Sequence, residues 1–276
     1  MMVLPDLKPF AHGVPIIRAL RGSVALVMQV SLTVAMYLSV LIPAFNEQKR
    51  IEPTLRSLVG FLSASAWDWE LIVADDGSSD ATADLVASFA EGEPRVLLLR
   101  VASNQGKGAA LRRAAGVSSG EFVVYSDADL PVAAEFLPEL IEPLEQGVAD
   151  LVLVSRWMAH APPVRGVTAP RRMLSAVFRL LAMPLVPAGV TDSQCGFKGF
   201  RGDVARQLFS QLETNGFAFD LELLCRARAR ALRVQERPFP VQHVVGSTVR
   251  PLRDSLRMLL EVTKIISSRL LGGYQP

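Results

Sequence analysis

A chain of 276 residues, half of them hydrophobic, can bury one large core, and a formal net charge of +2 argues against a dedicated nucleic-acid binder. All but five of its 29 basic residues are arginines, which suit phosphates. Cys195 and Cys225 lack metal spacing and any disulfide pattern, pointing to a reducing compartment, while His12, His160 and His243 are too scattered for a metal site.

Residues 1–37 read as an extension. Val24–Leu38 is apolar apart from Gln29, Ser31 and Thr33, yet shorter than the ~20 residues of a spanning helix. Arg18 and Arg21 precede it, but no small-residue cleavage site follows. The expectation is a segment packed on the domain or lying on a membrane.

From Leu38 the chain alternates. Leu38–Pro43 reads as a strand, and Ile51, Leu55, Leu58, Val59 and Leu62 mark one helical face. Glu70–Ala74 is a second strand, followed by a helix that Ser78 or Ser79 can cap, and Arg95–Val101 is a third. A helix over Lys107–Ala115 stops at Gly116, and the apolar run Phe122–Tyr125 suits a strand covered on both faces. Phe136, Leu137, Leu140, Ile141 and Leu144 mark a helix that Pro138 and Pro143 should kink or shorten, before a strand over Asp150–Val154. This order predicts an α/β fold, a mostly parallel sheet with helices on both faces. Helical faces recur at Met173–Met183, Val204–Phe209 and Leu221–Leu232, and Val234–Val241 reads as a late strand that Pro238 and Pro240 confine to an edge. The chain closes with an amphipathic helix over Leu252–Leu271, with Leu252, Leu256, Leu259, Leu260, Ile266 and Leu270 on one side and Arg253, Arg257 and Lys264 on an adjoining flank. The reading therefore divides the chain into an extension (1–37), a catalytic domain (38–250) and a C-terminal helix (251–276) expected to lie on a membrane surface.

The chemistry gathers at strand ends. Asp127 and Asp129 close the fourth strand, where open α/β sheets bind ligands, and an extended Asp-x-Asp aims both carboxylates to one side. Like charges so close call for a hard divalent cation, Mg²⁺ or Mn²⁺, that also takes oxygens from a diphosphate. Pro43-Ala44-Phe45-Asn46-Glu47 ends the first strand and Asp75-Asp76-Gly77-Ser78 the second, at the same edge. There Asp75 can accept from a base or ribose, and Phe45 can flank the base. Glu47 and Asp76 could instead be simple helix-first-turn residues. Asn104-Gln-Gly-Lys107-Gly108 opens a helix with free backbone N–H groups and one cation toward a phosphate, without Walker spacing.

These four motifs, in this order and spacing, resemble the nucleotide-sugar domain of family 2 glycosyltransferases, the GT-A, Rossmann-like fold, over roughly Leu38–Val241. Ser155-Arg156, Asp192-Ser-Gln-Cys-Gly-Phe-Lys198 and Gly216-Phe-Ala-Phe-Asp-Leu-Glu222 are similar to one branch, the dolichyl-phosphate glucosyltransferases and polyprenyl-phosphate mannose synthases. The resemblance implies that Pro43, Ala44, Phe45, Asn46, Glu47, Asp75, Asp76, Gly77, Lys107 and Ala128 line the donor site with Asp127 and Asp129. It further implies that Asp129, aided by Asp127, holds the metal, and that Arg156, Arg172, Lys198 and Arg250 meet an acceptor phosphate. Leu130-Pro131 after Asp129, and Ser155 after Val154, depart from the common pattern and leave the sugar open.

The chain lacks the Gln-x-x-Arg-Trp motif of polymer synthases. A phosphate oxyanion is already a nucleophile, so cationic residues can replace a general base. Asp192 is either a base for a hydroxyl acceptor or a turn residue orienting Lys198 or Arg156. The expectation is a metal-dependent inverting transferase that moves glucose from UDP-glucose to a polyprenyl phosphate, as a peripheral protein at the cytoplasmic membrane face. A soluble enzyme with a hydroxyl acceptor, a GDP-mannose enzyme and a silent nucleotide-sugar-binding or scaffold protein are the alternatives. Intact Asp75, Asp127 and Asp129 argue against the last.

Overall fold

The computed structural model describes residues 36–155, 182–240, 251–270 and 273–274. The N-terminal extension, Arg156, Arg172, Arg250 and the helix expected over Met173–Met183, save its last two residues, fall outside them. The strands are β1 (Leu38–Ala44), β2 (Trp69–Asp75), β3 (Val96–Arg100), β4 (Phe122–Ser126), β5 (Leu151–Ser155), β6 (Phe197–Arg201) and β7 (Val234–Pro238). The helices are α1 (Ile51–Ala64), α2 (Thr82–Gly92), α3 (Lys107–Val117), α4 (Leu137–Glu145), α5 (Gly202–Ser210), α6 (Phe219–Ala229) and α7 (Pro251–Leu270).

The seven strands form one sheet in the order β3-β2-β1-β4-β6-β5-β7. Every pairing is parallel except those of β6, which runs against both β4 and β5. The mostly parallel α/β architecture thus matches the sequence reading, and β7 takes the edge its prolines require. The strand β6 was not foreseen. Its reversed direction brings its start, not its end, to the edge where β1, β2 and β4 terminate.

Alternation explains why the sheet is covered twice. Val40 and Ile42 of β1, Leu71 and Val73 of β2, and Phe122 and Val124 of β4 pack in one cluster with Ile51, Leu55 and Leu58 of α1 and Leu140, Ile141 and Leu144 of α4. The residues between them, Leu41, Ile72, Val123 and Tyr125, join a cluster on the other face with Leu111 of α3, Leu208 and Phe209 of α5, and Leu221 and Leu224 of α6. Pro143 sits inside α4 without ending it. The carbonyl of Glu139, four residues earlier, accepts instead from the Arg237 guanidinium at 3.0 Å.

Helix α7 belongs to that second cluster. Val262 and Ile265 are 1% exposed and packed within it, while Leu259 and Leu260 face outward. This divides the apolar side read from the sequence: Ile266 leans on the core, and the side chains of Leu252, Leu256 and Leu270 lie outside the described ones.

Candidate active site

Strand order 3-2-1-4 places the reversal of chain progression between β1 and β4, the place where open α/β sheets bind ligands. The Phe45–Glu47 turn, the Asp75–Ser78 turn and Asp127–Asp129 therefore share one rim. Two of these turns are tied side to side. The Asn46 N–H donates to Ser78 Oγ at 2.9 Å, and Asn46 Oδ1 accepts from the Ser79 N–H at 2.9 Å. The Glu47 N–H donates to Thr82 Oγ1 at 2.7 Å. Asn46 takes a left-handed φ of 56°, a conformation asparagine tolerates through its short polar side chain. Phe45 stays over a third exposed beside them, available to a flat ligand.

The two aspartates of the second turn have separate roles. The Asp76 carboxylate is consumed internally: it accepts from the Gln105 and Gly106 N–H groups at 3.0 and 2.6 Å and from Arg113 at 2.8 Å. It thereby fixes the turn that opens α3. Asp75 is fully buried, accepts the Ser78 N–H at 3.2 Å through Oδ2, and leaves Oδ1 without a protein partner. A buried, unmatched acceptor is costly, and a ligand N–H or O–H would satisfy it.

At β4 the chain turns sharply after Asp129, with Leu130 at a left-handed φ of 46° and its N–H bonded to the Asp127 carbonyl at 2.9 Å. The departing Leu130 thus serves as the turn residue and packs its side chain on the core. Thr54 of α1 donates to the Ala128 carbonyl at 2.7 Å, which ties this turn to α1. Lys107, the first residue of α3, lies 2.5 Å from Asp127 Oδ1. Burial would lower the pKa of its ammonium, but the carboxylates of Asp127 and Asp220 outweigh it and raise it. Arg50 grips Glu47 through two hydrogen bonds of 2.6 and 2.7 Å and approaches Asp129 Oδ2 at 3.7 Å. Arg50 was not singled out in the sequence, although it stands three residues after Glu47 at the start of α1.

Glu47, Asp127 and Asp129 therefore set three carboxylates against two cations, Arg50 and Lys107. Burial raises the pKa of the Asp129 carboxyl, and the charge of Asp127 raises it further. Burial likewise raises Glu47, with Arg50 opposing. Among the described residues no three such side chains converge on one metal position, so the oxygen pair of Asp127 and Asp129, which a diphosphate would complete, is the set that fits a hard divalent cation.

Two more of the expected residues, Lys198 and Asp192, are buried. Lys198 is sealed in the core, where its ammonium donates to Asp220 and the Cys195 carbonyl, each at 2.6 Å, and to the Tyr125 hydroxyl at 2.7 Å. So placed, it meets no acceptor at the surface. Asp192 is buried near the end of β5; its N–H donates to Glu236 Oε1 at 2.7 Å and its Oδ1 accepts from the Gln194 N–H at 3.3 Å.

A mostly parallel sheet with a carboxylate pair at the end of β4, an exposed aromatic and an unmatched buried carboxylate at the ends of β1 and β2, and a cation at the start of α3 defines a glycosyltransferase of the GT-A fold. The chain belongs to glycosyl transferase family 2, whose profile matches residues 39–209. It is 32% identical over 252 residues to the dolichyl-phosphate beta-glucosyltransferase of Dictyostelium discoideum, a match covering 87% of this chain and 76% of that one. The human protein of the same name is 31% identical over 254 residues, 86% and 77% of the two chains. The crystal structure of glucosyl-3-phosphoglycerate synthase from Mycobacterium tuberculosis, with Mn²⁺, UDP and glucosyl-3-phosphoglycerate, superposes with a TM-score of 0.63 at 26% identity, covering 86% of this chain and 80% of that one.

Proposed function

We propose that this glycosyltransferase moves glucose from UDP-glucose to a polyprenyl phosphate, with inversion, as a peripheral enzyme at the cytoplasmic face of a membrane. The observation that carries the donor half is Asp75, whose buried Oδ1 waits for a hydrogen-bond donor with only β1 between its strand and that of the proposed metal carboxylates. That spacing suits a nucleoside on β2 and its diphosphate at β4. Asp129, with Asp127, would hold Mg²⁺ or Mn²⁺, which when bound neutralises the departing diphosphate. Pro43, Ala44, Phe45, Glu47 and Gly77 would flank the nucleoside, and Lys107 would pass from Asp127 to the diphosphate. A phosphate oxygen of the acceptor attacks the anomeric carbon in line as the bond to the UDP oxygen breaks, and no proton need be removed. Arg156, Arg172 and Arg250 are proposed to hold that acceptor phosphate.

The lipid acceptor and the glucose are supported by the names of both dolichyl-phosphate relatives. Membrane contact is supported by outward Leu259 and Leu260 on α7; among the described residues no helix is long and apolar enough to cross a membrane. A second reading, transfer to a hydroxyl of a small phosphorylated acid with Asp192 as base, is favoured by the solved neighbour that carries glucosyl-3-phosphoglycerate. Incubation with UDP-glucose and Mn²⁺ beside either a polyprenyl phosphate or 3-phosphoglycerate separates them. The proposal expects an organic-extractable, acid-labile glucosyl phosphate; a water-soluble glucoside formed only with phosphoglycerate would overturn it.

A further inference from the structure

We propose that Lys198 and Asp220 are positioning residues that hold Asp127 in place from beneath, a role that rests on the metal reading above. Both are buried, and neither reaches the rim. Yet two of the bonds Lys198 makes, to the Cys195 carbonyl and to the Tyr125 hydroxyl, reach the segments that adjoin Asp127. Lys198 donates to the carbonyl of Cys195 at 2.6 Å. The next residue, Gly196, accepts the Asp127 N–H on its carbonyl at 2.9 Å, which ties the start of β6 to the end of β4. The Asp127 carboxylate lies against the Gly196 α-carbon so closely that a Cβ there would collide with both of its oxygens. The floor under Asp127 is thus the Cys195-Gly196 backbone, and the Lys198 ammonium anchors that floor.

Asp220 makes the anchor affordable. A lone buried ammonium would carry a large desolvation penalty, and here the Asp220 carboxylate neutralises it at 2.6 Å while the Tyr125 hydroxyl completes its shell. Tyr125 also donates to Asp220, so the three groups close a ring. Tyr125 is two residues before Asp127 on β4, and its ring lies 5.1 Å from the Lys198 ammonium and 5.8 Å from that of Lys107. The ring of Phe219, beside Asp220, lies 5.5 Å from Lys107. Lys107 and Lys198 therefore bracket one aromatic wall, with Asp127 above and Asp220 below. Two cations and two anions alternate from the rim into the core, and the buried pair sets where the rim pair stands.

The test measures Mn²⁺ affinity by electron paramagnetic resonance in the presence of UDP, together with thermal unfolding and kinetics on a polyprenyl phosphate. Wild-type protein that binds no Mn²⁺ under UDP would overturn the metal reading itself, before any variant is compared. In Lys198→Met and Asp220→Asn we expect Mn²⁺ to bind about 10- to 100-fold more weakly, the scale seen when partners behind a metal ligand are removed. The value of kcat should fall and the acceptor KM should stay. Gly196→Ala, which disturbs Asp127 without touching the pair, should reproduce the same metal defect. The paired change Lys198→Met and Asp220→Leu removes both charges and leaves apolar filler, so it should fold even where a single variant does not, and still bind Mn²⁺ weakly because the Cys195 carbonyl has lost its donor. Unaltered Mn²⁺ affinity in the folded variants would overturn the proposal: with a raised acceptor KM, Lys198 would be an acceptor contact, and with only a lowered Tm, a plain core residue. Failure of every pair variant to fold would also overturn it.

Discussion

The ammonium of Lys107 stands 2.5 Å from Asp127 Oδ1, so a side chain of the protein already occupies one of the two carboxylates expected to face a metal. The consequence is competition. A divalent ion that uses Asp127 must displace Lys107 or share the oxygen with it, and the displaced ammonium has the diphosphate to move to. Lys107→Met should therefore bind Mn²⁺ more tightly than wild type without nucleotide, while the KM for the sugar donor rises. A charge-assisted contact is worth about 1.5–3 kcal/mol, which corresponds to a change of at least about tenfold in either quantity. Calorimetric titration of Mn²⁺ into the nucleotide-free proteins checks the first half; weaker metal binding in the variant would show that Lys107 supports the metal instead of competing with it.

Asp129→Asn should abolish transfer while the fold survives, because the carboxylate lies at the rim with nearly a third of its side chain exposed and its nearest cation, Arg50, at 3.7 Å. The pH dependence follows from the same crowding. Burial and the neighbouring charge of Asp127 raise the Asp129 pKa, and burial raises that of Glu47. A carboxyl with a folded pKa above its unfolded one binds its proton more tightly in the native state, so these groups withdraw stability as pH rises from about 4 through their folded values. In metal-free protein Tm should fall over that window through these two groups, and Mn²⁺ should restore it, most at the higher pH. Transfer runs the other way, declining as pH drops and Asp129 takes up a proton. Unfolding scans across pH, with EDTA and with Mn²⁺, test this; a Mn²⁺ stabilisation that does not grow with pH would count against Asp129 as a ligand.

Asp75→Ala removes an acceptor whose Oδ1 has no protein partner, so little native bonding is lost apart from the Ser78 N–H contact and the Arg100 guanidinium 3.8 Å from Oδ2. UDP affinity should drop about tenfold, the value of a hydrogen bond to a charged group, with Tm reduced far less than that loss alone would suggest. Asp76→Ala is the contrasting case. It strips three donors of their acceptor and frees the turn before α3, so Tm falls and Lys107 is misplaced. Equal losses of UDP affinity and of Tm in the two variants would refute the division of labour between these adjacent aspartates.

The parts of this site that were legible in the sequence are those that local pattern dictates. Strand ends, a tight Gly turn and an Asp-x-Asp pair are written within a few residues, and a parallel order carries them to one edge. The reversed strand β6 was hidden because Phe197-Lys-Gly-Phe-Arg201 offers a lysine where a buried strand should have an apolar residue. That lysine is tolerated through Asp220, 22 residues later, a pairing only the tertiary structure makes. For the same reason the resemblance assigns Lys198 to an acceptor phosphate, whereas its burial beside Asp220 ties it to the core. Arg50 escaped notice because its importance comes from standing between Glu47 of its own turn and Asp129 of another.

Helix α7 allows its two faces to be separated by substitution, which its sequence alone did not. Glu261 points inward, accepting the Ala218 N–H at 3.1 Å, and Val262 and Ile265 are buried in the core. Removing residues 252–276, as a purely membrane-bound helix would permit, should therefore destabilise the protein and disturb the 214–218 turn, whose Asn215 carbonyl accepts the Gly108 N–H at 2.8 Å beside Lys107. Ile265→Ala should cost about 2–5 kcal/mol, the range for truncating a well-packed aliphatic side chain. Leu260 is 64% exposed, so Leu260→Ser should change stability by no more than about 0.5 kcal/mol. If α7 also meets a lipid surface, its outward leucines are the contact, and Leu259→Ser with Leu260→Ser should release the protein from anionic liposomes in a sedimentation assay with Tm unchanged. Retention of that double variant on liposomes, at wild-type levels, would move the membrane contact away from this face of α7.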